Sequence, residues 1–251
     1  MTTAVVLLSG GIDSATALAV ALQENDAVHC VSFQYGSRHN RVEANAARRI
    51  VEHYELKGAR ITHEVVELPF IFFGAGSALM AEGDMPELTY QQIAESEGPS
   101  PTVVPFRNAN LLSMATTIAV VRSMDFVYCG MHAEDARGWA YPDCSPEFLG
   151  AMANAIFIGT YNKVRLVFPF VWSMKSDIVG RAIALDVPVH LTWSCYAPIF
   201  DGPGDEVEPS ACGKCPTCIE RIEAFKTNLL IDPAPYAVNV DWGECDKWLL
   251  Q

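Results

Sequence analysis

The six residues Ser9-Gly10-Gly11-Ile12-Asp13-Ser14 join an apolar run, Ala4 to Leu8, to a stretch with helical periodicity. A strand that ends in paired glycines and opens a helix presents unpaired backbone N–H groups and the positive end of a helix dipole, and both attract anions. Gly10 and Gly11 permit backbone angles and close approaches that a side chain would forbid. The amides from Gly10 to Ser14 can then point into one concavity, with the Ser9 and Ser14 hydroxyls beside them, as a nest for phosphate oxygens. Asp13 is the informative member. A carboxylate repels phosphate unless a hard cation lies between them, so its presence suggests Mg²⁺ bridging Asp13 to a polyphosphate. The competing account is a capped helix with no ligand, Ser9 or Asp13 serving as cap and Gly10 as a turn residue. The position, directly after a first strand, is where open α/β sheets bind ligands and favours the anion seat.

A second group is Cys195, followed after sixteen residues by Cys212, Cys215 and Cys218 at C-x-x-C-x-x-C spacing. Two-residue gaps let successive sulfurs converge on one ion, and four thiolates without carboxylate or water match a closed tetrahedral structural zinc site. An iron–sulfur cluster shares this ligation; a disulfide pair or a redox C-x-x-C fits less well in a reducing compartment with two further thiols nearby. Metal binding would order the acidic, Gly/Pro-rich loop from Ile199 to Ala211. Cys30, Cys129 and Cys245 read as buried or incidental thiols, and Cys144 sits in a loop.

The elements that must position these groups follow from hydrophobic periodicity. Strands are expected near Ala4–Leu8, Ala27–Phe33, Arg60–Leu68, Phe126–Gly130 and Arg165–Phe170. Helices are expected from Ile12, over Arg38–Glu55, Asn110–Ser123, Pro146–Thr160 and Lys175–Leu185, and over Ile219–Phe225. The alternation specifies an α/β fold, a doubly wound parallel sheet of five strands spanning residues 1–190, with a small cysteine-bearing module over 191–251. Residues 81–106 read as a long acidic connection with one short helix. A net charge of -13 opposes a broad nucleic-acid footprint and points to small-molecule partners. No apolar run is long enough to span a membrane and no signal peptide is evident, so a cytoplasmic location is expected.

Ser-Gly-Gly-x-Asp-Ser is also the signature of the PP-loop ATP pyrophosphatases, which this stretch resembles over all its residues. "SFQYGSRHNRVEANAARRI", "VPFRNANLLSMA", "YPDCSPEF", "KSDIV" and "LTWSCY" with "CGKCPTCIERIEAF" are similar, in that order, to the 7-cyano-7-deazaguanine synthase family. The resemblance implies an adenine nucleotide alpha hydrolase-like fold. It also implies a ligase that converts 7-carboxy-7-deazaguanine, ammonium and ATP into the nitrile 7-cyano-7-deazaguanine. The acid would be adenylated, ammonia would give an amide, and a second ATP would activate the amide oxygen. The resemblance places ATP on Leu7, Leu8, Ser9, Gly10, Gly11, Ile12, Asp13, Ser14 and Ala15, puts zinc on Cys195, Cys212, Cys215 and Cys218, and implies a homodimer.

Three residues are expected to carry the chemistry. Asp13 would hold Mg²⁺. Arg107 can grip a carboxylate or phosphate with two parallel N–H bonds, and Lys175 can neutralise phosphate charge in the transition state. The two adjacent donors on the deazaguanine edge suit one carboxylate, Asp143 or Glu147, with Glu134 and Asp135 also in reach. His39 and His132 could orient ligands, and Tyr35, Trp139 and Tyr141 could stack on a base. The chain departs from the family pattern at "RGWA", Arg137 to Ala140, and at Ser145, where an Arg is common. Both lie beside the presumed base pocket, so a related enzyme that stops at the amide, or that joins another acid and amine, keeps every ATP and zinc residue. A tRNA-thiolase-like protein or an amidotransferase subunit is a further PP-loop alternative, and a nucleotide-binding module without turnover a non-enzymatic one.

Overall fold

The computed structural model describes residues 1–37, 39–69, 77–80, 90–95, 100–201 and 208–247. Its sheet has five parallel strands in the order β3-β2-β1-β4-β5: β1 (Thr3–Leu7), β2 (Ala27–Gln34), β3 (Ile61–Glu67), β4 (Phe126–Tyr128) and β5 (Arg165–Val167). The helices are α1 (Ile12–Glu24), α2 (Asn40–Leu56), α3 (Tyr90–Glu95), α4 (Arg107–Val121), α5 (Pro146–Gly159), α6 (Lys175–Ala184) and α7 (Pro216–Thr227). A short parallel pair, β6 (Leu230–Ile231) with β7 (Asp246–Lys247), closes the described chain.

β1 lies at the centre and is buried on both faces, which is why it reads as a continuous apolar run instead of an alternation. Ala4 and Val6 pack with Ile12 and Leu18 of α1, Ile50 of α2, Ile178 of α6 and Phe225 of α7. Val5 and Leu7 turn the other way, onto Leu112 and Ala115 of α4 and Leu149 and Ile156 of α5. The sheet is therefore covered on both sides, as a doubly wound sheet requires. The chain moves from β1 to one edge, then crosses to begin β4 on β1's other side. That reversal opens a crevice at the carboxyl ends of β1 and β4.

Several boundaries differ from the sequence expectation. β4 and β5 have three residues each, because the chain leaves the sheet after Tyr128 and Val167 to build the crevice walls. α4 starts at Arg107 and not Asn110, and α2 at Asn40, Arg38 lying outside the described residues. α7 starts at Pro216, with Cys215 as N-cap, because proline's missing N–H costs nothing in a first turn. Of the 81–106 connection, residues 81–89 and 96–99 lie outside the described residues, and α3 is its short helix.

Just beyond β4, Gly130 packs on the start of α1. A Cβ there would sit 2.6 Å from the Asp13 carbonyl carbon and 2.9 Å from the Ser14 nitrogen, and neither backbone atom can retreat without moving the loop. Gly130→Ala is expected to cost about 1–3 kcal/mol of stability, the range for overpacking. A urea denaturation midpoint unchanged from wild type would contradict this.

The C-terminal segment is welded to the main sheet. Phe225 is fully buried in the core shared with α1 and α6, and the Trp193 amide donates to the Gly10 carbonyl at 2.8 Å. Arg221 is locked by two bonds to Asp232, at 2.7 and 2.9 Å. Among the described residues no helix is long and apolar enough to cross a membrane.

Candidate active site

A cavity of about 230 Å³ occupies the crevice. Leu7, Leu8, Ser9, Gly11, Asp13 and Ser14 line it. Gly10, Ile12 and Ala15 stand behind: Ile12 and Ala15 are fully buried in the core, and Gly10 (φ 86°) lies so close to α2 that a Cβ would press on the Glu43 carbonyl oxygen. The loop holds its own shape. Ser14 Oγ donates to the Gly11 carbonyl at 2.9 Å and accepts from the Ser9 amide at 3.2 Å, while the Gly11 amide donates to Ser9 Oγ at 3.3 Å. No side chain caps α1, whose N-cap is Gly11, so neither Ser9 nor Asp13 takes the place of a ligand at its first turn.

Asp13 and Lys175 meet here from α1 and α6. Lys175 Nζ donates to Asp13 Oδ2 at 2.7 Å and lies 3.1 Å from Glu220 Oε2, with only a tenth of its side chain exposed. Burial alone would discharge this ammonium, but the Asp13 and Glu220 carboxylates override it and hold Lys175 well above its ordinary pKa. Burial likewise opposes ionisation of Asp13, and the Lys175 charge wins, keeping Asp13 below the usual carboxylate range. The backbone of Lys175 is fixed as well, its amide donating to Glu134 Oε2 at 2.6 Å. Glu134 thus caps α6, while Asp135 lines the cavity.

Arg107 enters from the opposite wall. Phe106 before it adopts a left-handed conformation (φ 55°), an uncommon backbone for a non-glycine residue, and from that turn α4 starts with Arg107 on the cavity. Its Nη1 donates to the Tyr35 hydroxyl at 3.2 Å. Asn40 Oδ1 accepts from the amides of Tyr35 and Ser37, both at 2.9 Å, and so folds the turn that brings Tyr35, His39 and Glu43 to the same wall. His39 is 1% exposed; burial and the nearby Arg107 push its pKa down to about 3, so the ring is neutral at physiological pH. Burial raises the Glu43 carboxyl to about 8 against the opposing pull of Arg107.

This shift has a consequence for stability. The folded state holds the Glu43 proton to about pH 8, whereas the unfolded chain releases it above 4.5, so rising pH across that window costs stability. The slope is at most ~1.4 kcal/mol per pH unit, and it is smaller here because about a fifth of the side chain is exposed. Glu43→Gln removes the slope. Its stability relative to wild type is expected to rise between about pH 5.5 and pH 8, and parallel urea titrations with a pH-independent difference would contradict it.

Not every candidate reaches the cavity. Asp143 Oδ2 accepts from the Asn108 amide at 3.0 Å and anchors the first turn of α4, and Glu147 lies exposed on the first turn of α5. Neither is among the lining residues. Tyr141 is buried with its hydroxyl against Ser100 and Thr102. Cys144 does line the cavity, accepting from Asn108 Nδ2 at 3.3 Å, and burial raises its thiol pKa so that it stays protonated. Sequence reasoning passed over Glu43, Trp193 and Tyr196; only the His39/Glu43 spacing of four on one helix face carried a signal.

The four cysteines converge beside this site. Their sulfurs all lie within 4.8 Å of one another, and Cys212 Sγ is 3.9 Å from Cys218 Sγ. Backbone amides point at them: Ala197 and Cys212 donate to Cys195 Sγ at 3.3 and 3.2 Å, Lys214 and Cys215 to Cys212 Sγ at 3.4 and 3.3 Å. Such N–H donors stabilise thiolates and orient them on a metal.

Comparison with known proteins agrees with the geometry. The family model described as queuosine biosynthesis protein QueC matches residues 3–229. The 7-cyano-7-deazaguanine synthase of Pseudoalteromonas atlantica is 38% identical over 234 residues, covering 92% of this chain and 97% of that one. That of Methanoculleus marisnigri is 38% identical over 239 residues, covering 94% and 99%.

Proposed function

Because this chain belongs to the 7-cyano-7-deazaguanine synthase family of ATP-dependent carbon–nitrogen ligases, we propose that its cavity converts 7-carboxy-7-deazaguanine, ammonium and ATP into the nitrile 7-cyano-7-deazaguanine. The acid is adenylated and aminated, and the resulting amide is activated again on its oxygen. The observation that carries this reading is the Asp13–Lys175 pair set beneath the uncapped N-terminus of α1.

That arrangement suits a pyrophosphate leaving group, whose charge grows as the α phosphate is attacked. The amides of the α1 first turn bind its oxygens and Lys175 stabilises the developing charge. Asp13 Oδ1 is buried without a hydrogen-bond partner among the described residues, a donor that fits a hard cation. Mg²⁺ held there would withdraw charge from the phosphates. On the opposite wall Arg107 grips the carboxylate of the acid. Asp143 acts at one remove, by anchoring the helix that carries Arg107.

The four sulfurs fit one ion. Zinc–sulfur bonds of ~2.3 Å in a tetrahedron place sulfurs roughly 3.8 Å apart, close to the observed 3.9 Å. A four-iron cluster, which spreads its thiolates over four separate irons, does not fit sulfurs this close. This spacing supports zinc in a structural role. Eight free cysteines suit the reducing cytoplasm. A homodimer is supported by α5, an apolar helix of which only Leu149 and Ile156 are buried while Ile158 stays 65% exposed.

The test is mass spectrometry of nucleobase and nucleotide products from the purified protein with 7-carboxy-7-deazaguanine, ammonium, Mg²⁺ and ATP. Nitrile with AMP is expected. Amide alone would overturn the second activation, and an inert acid in the presence of bound ATP would overturn the substrate assignment. Arg107→Lys is expected to raise KM for the acid by about 10-fold or more, with a smaller change for ATP, because a lysine cannot form the two parallel bonds. Equal changes for both substrates would remove Arg107 from the acid.

A further inference from the structure

Behind the Asp13–Lys175 pair lies a group that the proposed chemistry leaves unused: His132 and Asp135 on the segment after β4, and Glu220 on α7. One potential ligand atom from each lies within 4.8 Å of the others. His132 is 1% exposed, and among the described residues neither ring nitrogen makes a hydrogen bond; Nε2 stands 3.6 Å from Asp135 Oδ2. Glu220 is more than nine-tenths buried and its Oε1 is also without a hydrogen-bond partner. A buried imidazole and a buried carboxylate left unmet each carry a desolvation cost that a native fold normally offsets.

Charge points the same way. Asp13, Asp135 and Glu220 bring three carboxylates to one place, and Lys175 is the cation that pairs with two of them. Arg221, the next cation along α7, is committed to Asp232. Lys175 alone does not balance the three carboxylates, and a divalent cation bound by His132, Asp135 and Glu220 would. The donor set discriminates among cations: one imidazole with two carboxylates suits a first-row transition ion such as Mn²⁺ or Zn²⁺ better than Mg²⁺, which prefers oxygen and keeps its waters.

We propose that His132, Asp135 and Glu220 form a second metal site, distinct from the cysteine site and from the Asp13 oxygen, which binds a divalent transition ion. The ion ties α7, which carries Cys218, to the loop after β4, which packs through Gly130 on the start of α1. It therefore holds the cysteine module against the anion seat. Lys175 separates it from Asp13, so this site fills without nucleotide.

The test uses the full-length zinc-loaded protein, free of nucleotide and in excess Mg²⁺, titrated with Mn²⁺ and followed by the electron paramagnetic resonance signal of free Mn²⁺. One Mn²⁺ per chain is expected to bind. Glu220→Gln and His132→Gln are expected to weaken it at least 10-fold, and Asp13→Asn by less than 3-fold, the range for losing or sparing a direct ligand. Absence of Mn²⁺ uptake overturns the site, as does uptake that Asp13→Asn abolishes and Glu220→Gln leaves intact. Should either variant fold poorly, wild type alone decides: electron spin echo modulation from a directly bound imidazole nitrogen is expected, and its absence overturns the site.

Discussion

Lys175→Met is expected to lower kcat/KM for AMP formation by about 10²–10³-fold, the scale of removing one pre-organised stabilising group from a transition state. The argument rests on position. The ammonium stands 2.7 Å from Asp13 Oδ2 and 3.1 Å from Glu220 Oε2 with a tenth of its side chain exposed, so bulk water cannot take its place. The same change leaves two buried carboxylates without their cation, a situation that costs about 3–5 kcal/mol when one member of a buried ion pair is deleted. The sign of its pH dependence follows. In wild type Asp13 is held below its ordinary pKa, so its contribution is present at neutral pH and fades as pH falls through that depressed value. In the variant burial outweighs the weaker pull of His132 and raises the carboxylates, so stability should increase on acidification from about pH 7 to pH 5.5. Steady-state kinetics and urea unfolding on the same preparation separate the two effects. A fall of less than threefold in a variant that folds would remove Lys175 from the reaction.

Removing zinc is expected to unfold the C-terminal module and abolish ATP binding together. Structural zinc contributes folding energy outright, about 10–16 kcal/mol in small zinc peptides, though here the core under Phe225 retains part of the fold. A net loss of about 4 kcal/mol would lower Tm by ~10 °C in a chain of this size. The loss reaches the nucleotide because Cys195 lies two residues after Trp193, whose amide closes on the Gly10 carbonyl, and because Trp193, Ser194, Tyr196 and Thr217 form part of the cavity wall. Chelation followed by calorimetry and an ATP titration checks both parts. A zinc-free protein with unchanged Tm and ATP affinity would contradict the structural role, as would Cys218→Ser with full zinc content.

The sequence disclosed those parts of the fold whose causes are local. β1 is apolar throughout because both its faces are covered, and Gly10 marks the turn because no side chain fits against α2 there. Cysteine spacing is equally direct, since convergence on one ion constrains chain separation. The rest depends on distant partners. Arg107 opens α4 because Phe106 takes a left-handed turn and Asp143 anchors the next residue's amide, and neither cause is written in residues 105–110. Glu43 resembles any polar residue on a solvated helix face until the turn at Tyr35 and the approach of Arg107 enclose it. Asp143 and Glu147 invite the opposite error. Acidic residues beside a presumed pocket suggest ligand contact, but both stand where a helix N-terminus attracts them.

The bond from the Trp193 amide to the Gly10 carbonyl also bears on how the enzyme is made. The anion seat leaves the ribosome well before the residue that closes over its back, and α7 with Glu220 comes later still. A growing chain can pair β1 with β2 and pack α1 early. It lacks the rear wall of the cavity until Trp193 has been made, so a product that stops short of that residue should consume no ATP even where its sheet has formed.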